Sequence, residues 1–311
     1  MDQYSRGEED DLSREVPDEC AGLRLDAAAA RVFGEYSRVR LSAWIARGLL
    51  LHNGAPARRG RDPVAAGDEL TLAAEVLEES RVDAQPEDMP LNVVYADEVL
   101  AVIDKPAGLT VHPGAGQPNG TLLNGLLHRF PQVASLPRAG IVHRLDKDTS
   151  GLLVVALEAG AQARLTDMLA AREVHREYLA LVHGRVIAGA AVDTPIGRDP
   201  RQRTRMAVMT NGRPAVTHYR VEARYPIHTL LRVQLETGRT HQIRVHLSHI
   251  RHGIVGDSVY ARGGHALPIH RQALHATRLA FAHPDDGRPM VFDSPLPEDF
   301  ARVLAGLQEE T

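Results

Sequence analysis

The chain has 311 residues, 43% hydrophobic and 24% charged, with a formal net charge of −4, and is long enough for two or three cores. No run of about 18 apolar residues is available to span a bilayer, and the start MDQYSRGEEDD lacks the basic patch and apolar run of a secretory signal, so a soluble, cytoplasmic protein is expected. The single cysteine, Cys20, excludes an intrachain disulfide and any multi-cysteine zinc site.

The net charge conceals an uneven distribution. Residues 1–17 set Arg6 and Arg14 against Asp2, Glu8, Glu9, Asp10, Asp11 and Glu15, and residues 75–90 set Arg81 against Glu75, Glu78, Glu79, Asp83, Glu87 and Asp88. Between them, residues 20–61 carry eight arginines against Asp26 and Glu35, a basic module that suits a polyanion. Residues 1–19 lack periodicity and are expected to form a disordered acidic tail. From Gly22 the pattern turns helical, with Leu25, Ala29, Val32 and Phe33 on one face. A second helix starts behind Ser37 as N-cap, with Leu41, Trp44 and Ile45 inward. The run LLLHNGAPA reads as a strand entering a tight turn at Asn53-Gly54, and Gly67-Asp68 opens the alternating strand DELTLAAEV. A small domain over 20–74 results. Residues 75–90, charged and broken by Pro86 and Pro90, read as a linker.

Within 91–311, strand signals at NVVY and VLAVIDK precede a Pro/Gly-rich loop at 106–120 and a helix near 121–130. The strand GLLVVAL, the helix AQARLTDMLAARE and the strand REYLALVHG follow. Strands at 215–224 and 228–236 then lead to a helix from Thr240, its expected N-cap, with Ile243, Leu247 and Ile250 inward. Strands dominate and helices come irregularly, which predicts an α+β domain with a large, mainly antiparallel mixed sheet rather than a doubly wound one.

The segment HRLDKDTSGLLVVAL, residues 143–157, places an ionisable cluster in a loop before a strand. Asp146 lies within four residues of His143, Arg144, Lys147 and Asp148, a setting that makes its carboxylate available as nucleophile or base. Asp146, Asp148, Ser150 and Gly151 also fit positions of a calcium loop, but Leu157 stands where that pattern needs a glutamate. In LETGRTHQIRVHLSH, residues 235–249, Arg239 sits in a turn and Arg244 at the edge of the helix's inner face, where a partly buried guanidinium needs a carboxylate. Asp146 is the candidate, and a solvated flank arginine is the alternative. His241, His246, His249 and His252 lack the glutamate of an H-E-x-x-H zinc site, so packing and surface roles are expected. Tyr178 is a strand tyrosine able to stack on a base, against the default of a core tyrosine. The loop DKPAGLTVHPGAGQPNG matches no nucleotide-cradling pattern, so no cofactor is expected. Arg201, Arg203, Arg205 and Arg213 share a loop without acids that could grip a phosphate backbone or be merely solvated.

Taken together these segments resemble the RluA-type pseudouridine synthases. HRLDKDTSG at 143–151, EYLALVHG at 177–184, TGRTHQIRVH at 237–246 and DKPAGLTVHPG at 104–114 are similar to the family's motifs, in its order. Residues 22–73 resemble an S4 RNA-binding domain of the αL type, and an S4 module ahead of this catalytic domain is the arrangement of a 23S ribosomal RNA synthase. The resemblance implies a catalytic domain over 91–311 with a central active-site cleft. It makes Asp146 the nucleophile or base, has Arg244 pair with it, and has Tyr178 stack on the target uracil. Arg144 then fills the space left by a flipped uridine, and His143, Arg239 and the S4-region arginines Arg24, Arg38, Arg40 and Arg47 contact RNA. The implied reaction is the isomerisation of uridine to pseudouridine without cofactor or metal. Its implied partner is structured ribosomal RNA, in particular the helix 69 stem-loop, with no obligatory protein partner. A noncatalytic S4-type ribosome-assembly factor, or a synthase of another ribosomal or transfer RNA site, is the alternative.

Overall fold

A computed structural model of the protein describes residues 12–34, 36, 38–73, 84–114, 117–202, 205–261 and 267–309. The chain divides between Asp83 and Ala84 into two compact units. The first holds a four-stranded sheet ordered β1-β4-β2-β3, from β1 (Leu12–Glu15), β2 (Leu50–His52), β3 (Ala55–Pro56) and β4 (Glu69–Leu72). Helices α1 (Leu25–Val32) and α2 (Arg38–Arg47) pack with it around Leu25, Ala28, Ala29, Phe33, Leu41, Trp44 and Ile45. The turn between β2 and β3 puts Asn53 and Gly54 at φ 50° and 75°, the left-handed pair that lets a two-residue hairpin match strand twist.

The acidic tail is corrected in part. Leu12–Glu15 pair antiparallel with β4, Leu12 opposite Leu72 and Glu15 opposite Glu69. Val16 and Cys20 are buried in this unit's core. The strand edge satisfies the backbone and those two side chains supply apolar anchorage, which composition alone does not register. Residues 1–11, the expected N-cap Ser37 and residues 74–83 of the expected linker lie outside the described residues.

The second unit is built on a nine-stranded sheet. Its members are β5 (Asn92–Ala96), β6 (Leu100–Lys105), β7 (Ser150–Ala156), β8 (His175–His183), β9 (Ala190–Asp193), β12 (Val216–Arg224), β13 (His228–Leu235), β14 (Leu274–Ala282) and β15 (Pro289–Asp293). The order is β5-β6-β7-β14-β8-β13-β12-β9, with β15 beside β14. Every pairing is antiparallel except β7 with β14, which meet only at Ser150–His275 and Gly151–Ala276. This is an α+β architecture on a large mixed sheet, as the irregular alternation of elements predicts. β10 (Ile196–Arg198) and β11 (Met206–Val208) form a separate hairpin. Helices α3 (Leu122–Arg129), α4 (Ala159–Ala170), α5 (Gln242–His249) and α6 (Glu298–Glu309) complete the unit.

Two packing details position the site. All seven residues of β7 are buried, so the loop that feeds it is held by a strand with no freedom to slide. Gly151 has φ 111°, and a Cβ there would stand 2.2 Å from the Ala276 carbonyl oxygen. Only glycine permits β7 and β14 to approach so closely.

Candidate active site

The loop before β7, the start of β8 and the start of α5 converge on a cavity of about 340 Å³, lined among others by Arg144, Asp146, Arg176, Tyr178, His241 and Arg244. That volume falls within the roughly 300–1,000 Å³ of small-molecule sites. Asp146 accepts a hydrogen bond on Oδ2 from Arg244 Nη1 at 3.0 Å. Arg244, 6% exposed, also donates from Nε and Nη2 to both oxygens of Asp257, at 2.7 and 3.0 Å. The Asp257 side chain is fully enclosed, and its Oδ1 accepts the backbone N–H groups of Val259 and Tyr260 as well. Burial works against the charge of Arg244, but Asp257 and then Asp146 outweigh it and raise its pKa. The guanidinium is therefore clamped between two acids and lies 5.0 Å from the Tyr260 ring centroid, and its planar fork leaves Asp146 one fixed direction.

The start of α5 differs from expectation. Thr240 is not the N-cap. The helix begins at Gln242, behind His241 in the left-handed region at φ 56° and ψ 21°. Buried Gln242 holds this turn, accepting from Arg239 N and Thr237 Oγ1 and donating to the Val216 carbonyl and Thr217 Oγ1. The unusual backbone aims His241 at the site. Its Nδ1 shares a 2.7 Å hydrogen bond with the Tyr260 hydroxyl, and its Nε2 stands 3.9 Å from Asp146 Oδ1. Burial lowers the His241 pKa.

Tyr178 is buried on β8 and lines the cavity; burial raises its phenol above the ordinary value, so the hydroxyl is protonated at neutral pH. Arg144 is exposed at the cavity wall, and Arg239, half-buried there, donates from Nε to the Pro214 carbonyl at 3.1 Å. His143 is half-buried in the cavity lining. Its Nε2 accepts the backbone N–H of Val154 at 3.0 Å, and burial, aided by Arg176, pushes its pKa down to about 3. A neutral imidazole pinned to β7 supplies no charge for a phosphate. In the first unit Arg24, Arg38, Arg40 and Arg47 are exposed. Arg24 and Arg38 both reach Asp26, at 3.2 and 2.9 Å, and Arg40 lies over Trp44 at 5.1 Å.

Several of the other candidates are spent on structure. His246 bonds Thr217 Oγ1 and the Thr194 carbonyl, and His252 bonds the His183 carbonyl. Ser150, inside the would-be calcium loop, bonds His275 Nδ1 at 3.0 Å at the start of β7. Arg205 lies 5.0 Å from the Tyr260 ring centroid and bonds the Val259 carbonyl; Arg203 is outside the described residues.

The sequence span that carries this site, residues 99–249, matches the family described as RNA pseudouridylate synthase. Ribosomal large subunit pseudouridine synthase D of Xanthomonas campestris pv. campestris is 50% identical over 309 residues, 95% of this chain and 92% of that protein. The chain belongs to the RNA pseudouridylate synthase family. The protein of the same name from Escherichia coli strain K12 is 48% identical over 307 residues, 94% of this chain and 93% of that protein. Among solved structures, Human RNA Pseudouridylate Synthase Domain Containing 1 superposes with a TM-score of 0.55 at 28% identity, over 67% of this chain and 84% of that one.

Two parts of this family member's site escape sequence reasoning. Asp257 is a lone acid in a turn, and nothing in its spacing from Arg244 announces contact. Lys105 is fully buried and donates from Nζ to the carbonyls of Pro106, Leu109 and Lys147 at 2.7, 2.9 and 2.9 Å, which ties the end of β6 to the loop bearing Asp146. Burial pulls its ammonium down to about 7 against the pull of Asp148 and Asp146. The only sequence signal is a lysine closing a strand whose first four residues are apolar.

Proposed function

We propose that the protein isomerises specific uridines to pseudouridine in large-subunit ribosomal RNA in the cytoplasm, with Asp146 as the nucleophile or base. The observation that carries this reading is the Asp257–Arg244–Asp146 array opening into a cavity walled by Tyr178. Moving uracil from an N1 to a C5 linkage breaks one glycosidic bond, turns the base and forms another. It is redox-neutral and needs one carboxylate, exclusion of water and a surface on which the base can turn. Asp146 supplies the carboxylate, directed by Arg244. The Tyr178 ring offers a stacking face for the extruded uracil, and Arg144 is exposed where it can take the place of the departed base in the RNA stack.

The first unit, with its exposed arginines, acts in this reading as an S4-type module that grips phosphates. With aromatic residues only 4% of the chain, recognition rests on RNA shape and charge rather than on a stacking platform. The substrate is accordingly a structured stem-loop, and the resemblance to 23S ribosomal RNA synthases makes it the helix 69 hairpin of that RNA. Mapping pseudouridines in ribosomal RNA from cells with and without the gene tests the target. Purified Asp146→Asn should bind the hairpin and yield no product; substantial pseudouridine from that variant removes Asp146 from its role, and a wild-type protein that binds and leaves every uridine unchanged is a binder only.

A further inference from the structure

Strand β8 sends Arg176 and Tyr178 to the same side of the sheet, both buried and both in the wall of the cavity. Arg176 is 6% exposed and is placed unlike the other arginines there. Arg244 is held by two carboxylates and Arg239 by a carbonyl. The Nε of Arg176 has no hydrogen-bond partner, and among the described residues no carboxylate pairs with its guanidinium. Burial lowers its pKa, opposed only by the neighbouring Tyr178. A desolvated guanidinium without an anion is unfavourable unless a bound ligand brings one. The turn opposite lies close, so that a Cβ on Gly238 would stand 3.0 Å from Arg176 Nη1.

We propose that Arg176 is the seat for a phosphodiester of the RNA beside the extruded uridine. This rests on the reading of the cavity as the uridine site. Uracil carbonyls are neutral and would leave the buried charge uncompensated, whereas the phosphodiester is the anion that every nucleotide carries. Arg176 and Tyr178 stand two residues apart on a strand, about 7 Å, a separation suited to a base on one and its own backbone on the other. Arg176 thereby fixes how far the nucleotide enters, and so where the glycosidic bond lies relative to Asp146.

The test uses the full-length protein and a synthetic helix 69 hairpin of 23S ribosomal RNA, with single neutral methylphosphonate linkages placed in turn along its loop. Affinity and pseudouridine formation are measured for wild type, Arg176→Gln and Arg176→Lys. One neutral linkage is expected to weaken wild-type binding roughly tenfold, as loss of a charge-assisted contact does. Arg176→Gln should weaken binding of unmodified RNA to a similar extent and be indifferent to that linkage, because the two changes remove one contact. Arg176→Lys should retain part of the sensitivity. Arg176→Gln should also melt no lower than wild type, since a charge unpaired in the free protein has been removed. Penalties that add in full, a wild type indifferent to every neutral linkage, or a glutamine variant that fails to fold would each overturn the proposal. A wild type that makes no pseudouridine on this RNA counts against the proposed activity or its target, while the affinities still decide the role of Arg176.

Discussion

Asp257 never reaches the cavity, yet the geometry makes it decisive for Asp146. In Asp257→Asn the amide oxygen stays on the backbone N–H groups of Val259 and Tyr260, now accepted by Oδ1 at 2.9 and 3.0 Å. The amide nitrogen then faces Arg244 Nε, where Oδ2 now accepts at 2.7 Å. A charge-assisted bond becomes a donor facing a donor. Breaking a buried ion pair costs about 3–5 kcal/mol, and because Asp146 still neutralises part of the guanidinium, the loss should fall near the lower end, about 3 kcal/mol. Arg244 will also shift, and a displacement of about 1 Å at a reacting group costs on the order of 100-fold in rate. Denaturant unfolding should therefore show the stability loss, and initial rates on hairpin RNA should show kcat down by about 10- to 100-fold with KM little changed, since the Asp257 side chain is fully enclosed. An Asp257→Asn protein within about 0.5 kcal/mol of wild-type stability and within twofold of its kcat would refute this account of how Asp146 is aimed.

Other expectations follow from the same geometry. Gly151→Ala must push β14 away from β7 or strain a left-handed backbone, and should destabilise by at least about 2 kcal/mol, with a lower melting temperature. His143 is neutral in the folded state with its pKa pushed to about 3, so between that value and the ordinary one near 6.5 the unfolded chain binds the extra proton. Stability is thus intact above about pH 6.5 and is lost as pH falls, on the order of 1–2 kcal/mol by pH 5. His143→Gln, which retains an acceptor for the Val154 N–H, should flatten that acid limb in melts at several pH values; an unchanged limb excludes His143 as its source. Replacing Tyr178 by leucine removes a stacking face worth about 1–3 kcal/mol per base and should lower turnover more than Tyr178→Phe, an order that single-turnover rates will show or contradict.

Periodicity made the elements legible because strands and helices here keep their faces: β7 is apolar throughout, and Leu41, Trp44 and Ile45 fall inward as their spacing requires. The link from Asp146 to Arg244 was readable as a need, since a buried guanidinium is costly until an anion meets it, whether from the protein or from a ligand. Its second acid was not, because Asp257 meets Arg244 only through the turn that follows α5. The setting of His143 was hidden for a related reason: its neighbours in sequence do not show that its ring accepts from the backbone of β7. Burial and long-range bonding decide those assignments, and neither is written in local spacing. Residues 12–15 show the converse, where the end of an acidic stretch finds a sheet edge that composition does not advertise.

The buried ammonium of Lys105, with three carbonyls around it, has a kinetic meaning. It is one bolt joining the strand before the glycine-rich loop to the loop that carries Asp146, and it is tightened when the protein folds, before any nucleic acid arrives. To the extent that this bolt holds the loop of Asp146, the rearrangement that accompanies recognition is left to the RNA, whose nucleotide must leave its neighbours to enter the cavity.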